Sequence, residues 1–282
     1  MLGPKQDQNV GSGAIAVQAA RDVHMGMSFT EVRELCQLLV ENNFPALRAE
    51  AKAAAEERVR QFAAELEQRI IDASAQIDPN KFRDPDVQAC LNDAVLAAAR
   101  RGEAANTEVL CTLVTERVSA QASPFKDIVL SEAVQVVPKL TAQHISMLSL
   151  TFFIQSVVFS NIPHLTVLEG PAQQLKPLLE RCGGLSYSQK QHVQYAGACS
   201  YINVTITDPY EVLRKAYHQF EHPNTESLKI QLGEEAPTFL EMVELYRTNE
   251  LWCITPTSVG QAIAISALSS KLPIFNFSTW LK

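Results

Sequence analysis

Apolar residues recur along most of this chain at intervals of three and four, the period of an amphipathic helix. From Ser28 that spacing predicts a first helix, with Val32, Leu35, Cys36 and Leu39 on one face. Ser28 and Glu31 match the capping box S-x-x-E, and Met27 and Val32 stand at the two positions of a hydrophobic staple. Pro45 follows Asn42-Asn43-Phe44, so a kink or short break is expected there. The pattern then resumes: Leu47, Ala51, Ala54, Ala55, Val59, Phe62, Leu66 and Ile70 keep one face apolar. Glu56, Arg60, Glu65, Glu67 and Arg69 hold the opposite face. The intervals mix threes and fours without a strict heptad, so the expected partner is the chain's own domain. A stalk packing against copies of itself is the alternative.

Further along, Asp84 before Pro85 predicts a helix that runs to Arg101 and stops at Gly102. Helices are also predicted over 106–121, 124–137, from Thr141 onward, 172–181, 188–200, 208–221, 237–247 and 257–271. Alternating β-branched residues over 201–207 and the short run 251–254 predict strands. Charge is dense before about residue 122 and sparse after it, which places a boundary there. The organisation expected is a short β segment over 1–27, a helical region over 28–122 and a helical domain over 123–282. The fold class is mainly α, a helical bundle with a long N-terminal helix, a short N-terminal β element and a winged-helix-like end near 208–270.

Two stretches change this picture. Residues 14–18 and 22–25 are strand-like runs around a small-residue turn, with glycines at both ends. One short hairpin is marginal in water by itself. It is therefore a tail or one part of an assembly, and Ile15, Val17, Val23, His24, Met25 and Met27 would make the contact. In a symmetric trimer His24 would meet its copies near an axis, where it could hold an anion or metal; an exposed strand position is its default reading. The second stretch, 140–168, has no charged residue. Its length permits a membrane span. Its serines, threonines and Asn161-Ile162-Pro163-His164 favour a helix buried at the centre of the core.

Composition narrows function more than it names one. The 282 residues are 46% hydrophobic and carry a formal net charge of −7, enough for a sizeable core and against a general nucleic-acid binder. Cys36, Cys90, Cys111, Cys182, Cys199 and Cys253 form no C-x-x-C pair and read as free, buried thiols of a cytoplasmic protein. No cofactor, metal or catalytic residue is expected. His218 and His222 stand four apart, but Gln219 and Phe220 follow His218 where H-E-x-x-H needs a glutamate, so a surface pair is expected. Cys199-Ser200 with His192 lacks a group to orient the histidine. The segment 251–264 looks like the end of a winged-helix domain, with 237–247 as its recognition helix, yet Glu241 and Glu244 there would repel phosphates.

Four motifs carry a resemblance. They are 15–24 of the type Ile-x-x-Gln-Ala-x-Arg-Asp-Val-x, the helix start 28–32, the run 130–141 ending Val-Val-Pro-Lys-Leu-Thr, and 255–265. On these the chain resembles a family of uncharacterised bacterial cytosolic proteins whose members are similar to accessory proteins of phage-defence regions. The turn Ala19-Ala20 departs from the Ala-Gly often found in such segments. The function expected is a non-enzymatic, homo-oligomeric interaction or sensing protein, trimeric by preference, with a protein partner on its C-terminal domain. The alternatives are a membrane-active effector using 140–168 and a winged-helix nucleic-acid binder.

Overall fold

The computed structural model describes residues 29–43, 49–121, 123–202 and 208–281. Over these the chain is mainly α-helical, as the periodicity predicts. The first two apolar stripes form α1 (Phe29–Asn43) and α2 (Ala49–Asp72). They are a hairpin rather than one kinked rod. Arg33, early in α1, lies 3.7 Å from Glu67, late in α2. Val40 and Glu41, late in α1, share a cleft with Glu56, Val59 and Arg60. Ala55, Val59, Phe62, Ala63, Leu66 and Ile70 bury one face of α2 within its own chain. Ala51 and Ala54, read as part of that face, are exposed, since a methyl group gains little from burial. Met27 and Ser28, the expected staple and cap, lie outside the described residues.

Local chemistry sets most of the remaining boundaries. The Asp84 carboxylate accepts the Asp86 N–H and Pro85 opens α3 (Pro85–Arg101), which ends on Gly102 at φ 56. The next helix, α4 (Thr107–Arg117), stops short of the expected residue 121. There the backbone changes partner: the Asp78 N–H donates to the Val118 carbonyl (2.9 Å) and the Ala120 N–H to that of Gln76 (2.7 Å). Ser123 caps α5 (Pro124–Val136). Thr141 caps α6 (Ala142–Ser156), where every side chain from His144 to Ile154 is buried. This is the central helix expected within 140–168, shortened because the chain leaves it at Ser156 and turns at Asn161, φ 58. After α7 (Glu169–Leu179) and α8 (Tyr187–Tyr195), Gly197 at φ 88 turns the chain into β1 (Cys199–Tyr201), ending α8 before the expected residue 200.

The C-terminal part runs through α9 (Pro209–Ala216), α10 (Thr225–Glu235), α11 (Pro237–Thr248), β2 (Ile254–Pro256), α12 (Ser258–Ser269) and α13 (Phe277–Trp280). The strands pair antiparallel, Cys199 opposite Pro256 and Tyr201 opposite Ile254. Residues 203–207 of the expected longer strand lie outside the described residues. Residues 251–253, expected as strand, form a 3-10 turn, and the extended run starts only at Ile254. Sequence reading places no helix at α10. Its buried face is only Leu228 and Leu232, too thin a stripe to stand out. After β2 the chain enters α12 directly, and among the described residues no β-hairpin follows α11.

Two helices form the middle of the core. α6 is buried all round, and α12, buried continuously from Ala262 to Leu268, packs against it as well as against α4 and α5. Phe153 of α6 meets Phe159, Phe239 and Phe275 edge to face, with centroids 6.1–6.4 Å apart. All six cysteines are buried and free, as expected. Among the described residues no helix is long and apolar enough to cross a membrane.

Of the three buried cations among the described residues, Arg117, Lys126 and Lys190, the first two form one network. Arg117 is 4% exposed and Lys126 2%. Arg117 donates to the Asp86 carboxylate (2.6 Å) and to Ser131 (3.2 Å), and lies 3.3 Å from Asp127. Lys126 pairs with Glu116 and donates to the Gln121 carbonyl (3.0 Å). The network ties the N-terminus of α3 to the α4–α5 junction.

The cap of α6 titrates. The Thr141 N–H donates to His144 Nδ1 (3.2 Å) and the His144 N–H returns a bond to Thr141 Oγ1 (3.3 Å). An Nδ1 that accepts belongs to a neutral ring, and burial, then the neighbouring His192, lowers the His144 pKa below its ordinary 6.5. The unfolded chain therefore binds that proton more readily. Stability is expected to be unaffected by His144 above pH 6.5 and to fall as the pH drops below it. Urea unfolding of His144→Gln, which keeps a capping-box residue without a titrating ring, is expected to show a shallower loss between about pH 7 and 5.

Candidate functional site

The best-organised open cleft lies where α9, α10 and α11 converge. Its volume is about 480 Å³, and Pro209, Tyr210, Thr225, Lys229, Arg247 and Trp252 line it, with Asp208 and Glu226. Trp252 comes from the 3-10 turn 251–253, and the other side chains from the starts or inner edges of α9, α10 and α11. Asp208 caps α9 by accepting the Tyr210 N–H (3.0 Å), which fixes Tyr210 at the first turn. Asn224 caps α10 by accepting the Ser227 N–H (2.9 Å), and Lys229 follows one turn later. On α11, Phe239, Met242, Val243 and Tyr246 are buried. That anchors the helix and sets Glu244 and Arg247 at the cleft.

Glu244 is the hub. Its Oε1 accepts from the Tyr210 hydroxyl (2.6 Å) and lies 2.6 Å from Lys229 Nζ. Its Oε2 accepts from Arg247 Nε (2.9 Å) and Nη2 (2.7 Å). The Lys229 ammonium sits 5.5 Å from the centroid of the Tyr210 ring. Burial pushes the Glu244 carboxyl up, but the bonds from Lys229, Tyr210 and Arg247 outweigh it and hold the pKa at about 2. Burial, then the same carboxylate, raises the Tyr210 hydroxyl above its ordinary range. Around neutral pH the cluster is therefore a fixed carboxylate between two cations and a protonated phenol. It can orient a bound group, while its own charges are already paired and the Tyr210 ring is buried.

A second depression of about 200 Å³ adjoins it, sharing Pro209 and Trp252 and adding Ile154, Gln155, Val212 and Tyr246. Gln155 fixes its floor, donating to the Tyr246 hydroxyl (3.0 Å) and the Ile254 carbonyl (2.9 Å). Ile202 and Val212 are exposed on this side of the molecule, 59% and 43%, and the Ile202 N–H donates to the Cys253 carbonyl beside Trp252. The exposed Ile202 and Val212 thus flank the half-buried Trp252, while the Tyr210 and Tyr246 rings lie buried beneath.

Glu244→Gln is expected to destabilise the fold by about 1–3 kcal/mol, because Lys229 and Arg247 lose their charged acceptor. The wild-type contribution is present above the ordinary pKa of 4.5 and disappears as pH falls toward about 2. Thermal melts of the two proteins at pH 7 and pH 3 check this: the difference should shrink at pH 3.

The site residues named from sequence fall differently. Ile15, Val17, Val23, His24, Met25 and Met27 lie outside the described residues. His218 and His222 do not share a helix face: α9 ends at Ala216, Glu221 takes φ 50, and His222 is buried rather than at the surface. Among the described residues no His, Cys, Asp and Glu cluster fits a metal. Burial pushes the Cys199 thiol up to about 12, and His192 Nε2 is engaged with the Lys139 carbonyl at 2.9 Å. The expected recognition helix, α11, turns its apolar face into the core, and its Glu241 pairs with Lys176 at 2.5 Å. Tyr210, Lys229 and Trp252 were not singled out. The available signal was the Asn224-Thr-Glu-Ser cap followed by Leu228 and Leu232, which predicts α10 and brings Lys229 to the cleft.

No curated protein and no solved structure matches the chain. A model of an uncharacterised protein family does, over residues 26–222 and again over 210–281, starting after the 15–24 segment. The match spans α1 through α13, and the chain belongs to that family of uncharacterised proteins.

Proposed function

We propose that this protein is a non-enzymatic, homo-oligomeric interaction and sensing protein. The N-terminal segment carrying Ile15, Val17, Val23, His24, Met25 and Met27 joins the copies, a trimer being the favoured stoichiometry. The C-terminal helices bind a protein partner. The observation that carries the binding half is the Glu244 clamp. It fixes Tyr210, Lys229 and Arg247 in one arrangement beside Trp252, so a partner meets a surface whose ordering cost is already met. Support for the oligomeric half is the strand pattern of 14–18 and 22–25, a hairpin too small to stand alone. The resemblance adds a bacterial cytoplasm and a part in phage defence to the reading.

Co-expression of two differently tagged copies tests assembly. The full chain is expected to co-purify as mixed oligomers, and a version starting at Met27 is not. Equal co-purification of both versions would remove the role assigned to the N-terminal segment. The defence part predicts that deleting the gene from its host raises the plating efficiency of at least one phage, and that Trp252→Ala fails to restore resistance.

A further inference from the structure

We propose that the groove between α3 and α5 docks an acidic, amphipathic segment of a partner protein. This rests on the interaction reading above and names the chemistry of one partner. The groove has a volume of about 520 Å³. Its floor is apolar: Ala97 and Val134 are buried, with Leu96 and Pro138 half-buried beside them. Its rim carries Arg100, Arg101 and Lys139. The Arg58 guanidinium reaches the same end, donating to the carbonyls of Ala99 (3.2 Å) and Arg100 (3.1 Å). The carboxylate in the lining, Asp93, is engaged by the Gln135 amide at 3.1 Å.

Charge makes the groove unusual for this chain. Most described cations elsewhere sit within 4 Å of a carboxylate, such as Arg69, Lys176, Arg214 and Arg247. Among the described residues Arg58, Arg100, Arg101 and Lys139 form no such pair, although the chain as a whole carries a net charge of −7. The last-turn carbonyls of α3 account for cations at Arg100 and Arg101. Lys139 likewise ends the 3-10 turn 137–139 that continues α5, but helix ends do not account for the apolar floor between the three cations. A helix or extended segment with leucine-like side chains on one face and carboxylates along its edge satisfies both features. The rim supplies the orientation and the floor supplies the anchor.

Fluorescence anisotropy with the full chain tests this. The probe is a labelled peptide of Glu, Ala and Leu, about five helical turns long, with its leucines on one face. Companion peptides replace every Glu by Gln or every Leu by Ser. Arg100→Glu with Lys139→Glu is expected to weaken the Glu peptide about tenfold or more. Neither side chain has a polar partner among the described residues, so circular dichroism should be unchanged. Arg83→Glu with Lys215→Glu, the same change of charge at exposed positions elsewhere, should leave binding within about twofold. Equal weakening by both double variants, equal binding of the Gln peptide, or no binding up to about 1 mM would overturn the proposal. Co-sedimentation with phosphatidylserine vesicles that is lost in the groove variant, while the peptide fails to bind, would assign the groove to a membrane surface instead and also overturn it. Solution mass measured on the same samples separates the two readings: an intact oligomer that ignores the peptide rejects the groove alone.

Discussion

Gly260→Ala is expected to leave little folded protein. Gly260 lies in the first turn of α12, where Thr257 caps the helix by accepting the Gly260 N–H at 3.2 Å. The Ala198 carbonyl, which leads into β1, accepts the Thr257 N–H at 3.1 Å and so is drawn against the same turn. A Cβ at position 260 would stand 2.9 Å from the Ala198 carbonyl carbon and closer still to its oxygen. The obstacle is backbone held by hydrogen bonds, so no rotamer change relieves it. Either α12 moves away from the β1–β2 pair or the Thr257 cap breaks. Because α12 also packs on α4, α5 and α6, the displacement reaches the whole core. A loss of about 3 kcal/mol or more follows, a large share of a typical total stability. Urea unfolding and soluble yield check it. Gly233→Ala, where the nearest neighbour is a Leu240 methyl at 3.5 Å, should be tolerated, since alanine is the better helix former there.

Arg117→Met is expected to cost about 2–3 kcal/mol. The guanidinium is buried and serves Asp86, Asp127 and Ser131 together. Its hydrogen bond holds the Asp86 carboxyl below the usual carboxylate range. Methionine fills much of the space but leaves Asp127, about one-quarter exposed, to Lys81 at 3.5 Å, while the exposed Asp86 keeps solvent and its bond from Ser131 (3.1 Å). The comparison is Lys52→Met, which removes an exposed pair with Glu56 and should change stability by less than about 1 kcal/mol. Denaturant midpoints of the two variants, at low and high salt, separate the cases. High salt should narrow the Arg117 deficit only in part, because the guanidinium is buried while Asp86 is exposed.

Helices with a broad apolar stripe were legible in the sequence with or without a side-chain cap, as α4, α7 and α11 show, whereas the capped but thinly striped α10 was not. Asp84-Pro85, Ser123-Pro124 and Thr141 each marked a start that the structure places at the next residue. The buried centre of 140–168 was legible because a helix without charge has nowhere else to go in such a fold. α10 escaped notice because Leu228 and Leu232 alone define its inner face. The hairpin of α1 and α2 was invisible for another reason: a proline break reports an interruption, while the direction of the chain afterwards depends on packing against α3 and α4. The same limit hid the cleft. Tyr210, Lys229, Glu244 and Arg247 come from three helices, and no local pattern announces that one carboxylate will gather the other three.

The central claim is that the copies assemble through the N-terminal segment while the helical body carries the binding surfaces. Its most direct test is the solution mass, by light scattering, of the full chain and of a version starting at Met27, at micromolar concentration. The account predicts a trimer, or at least a defined oligomer, for the full chain and a folded monomer for the shortened one. Two monomers, or two oligomers of equal stoichiometry, would contradict it.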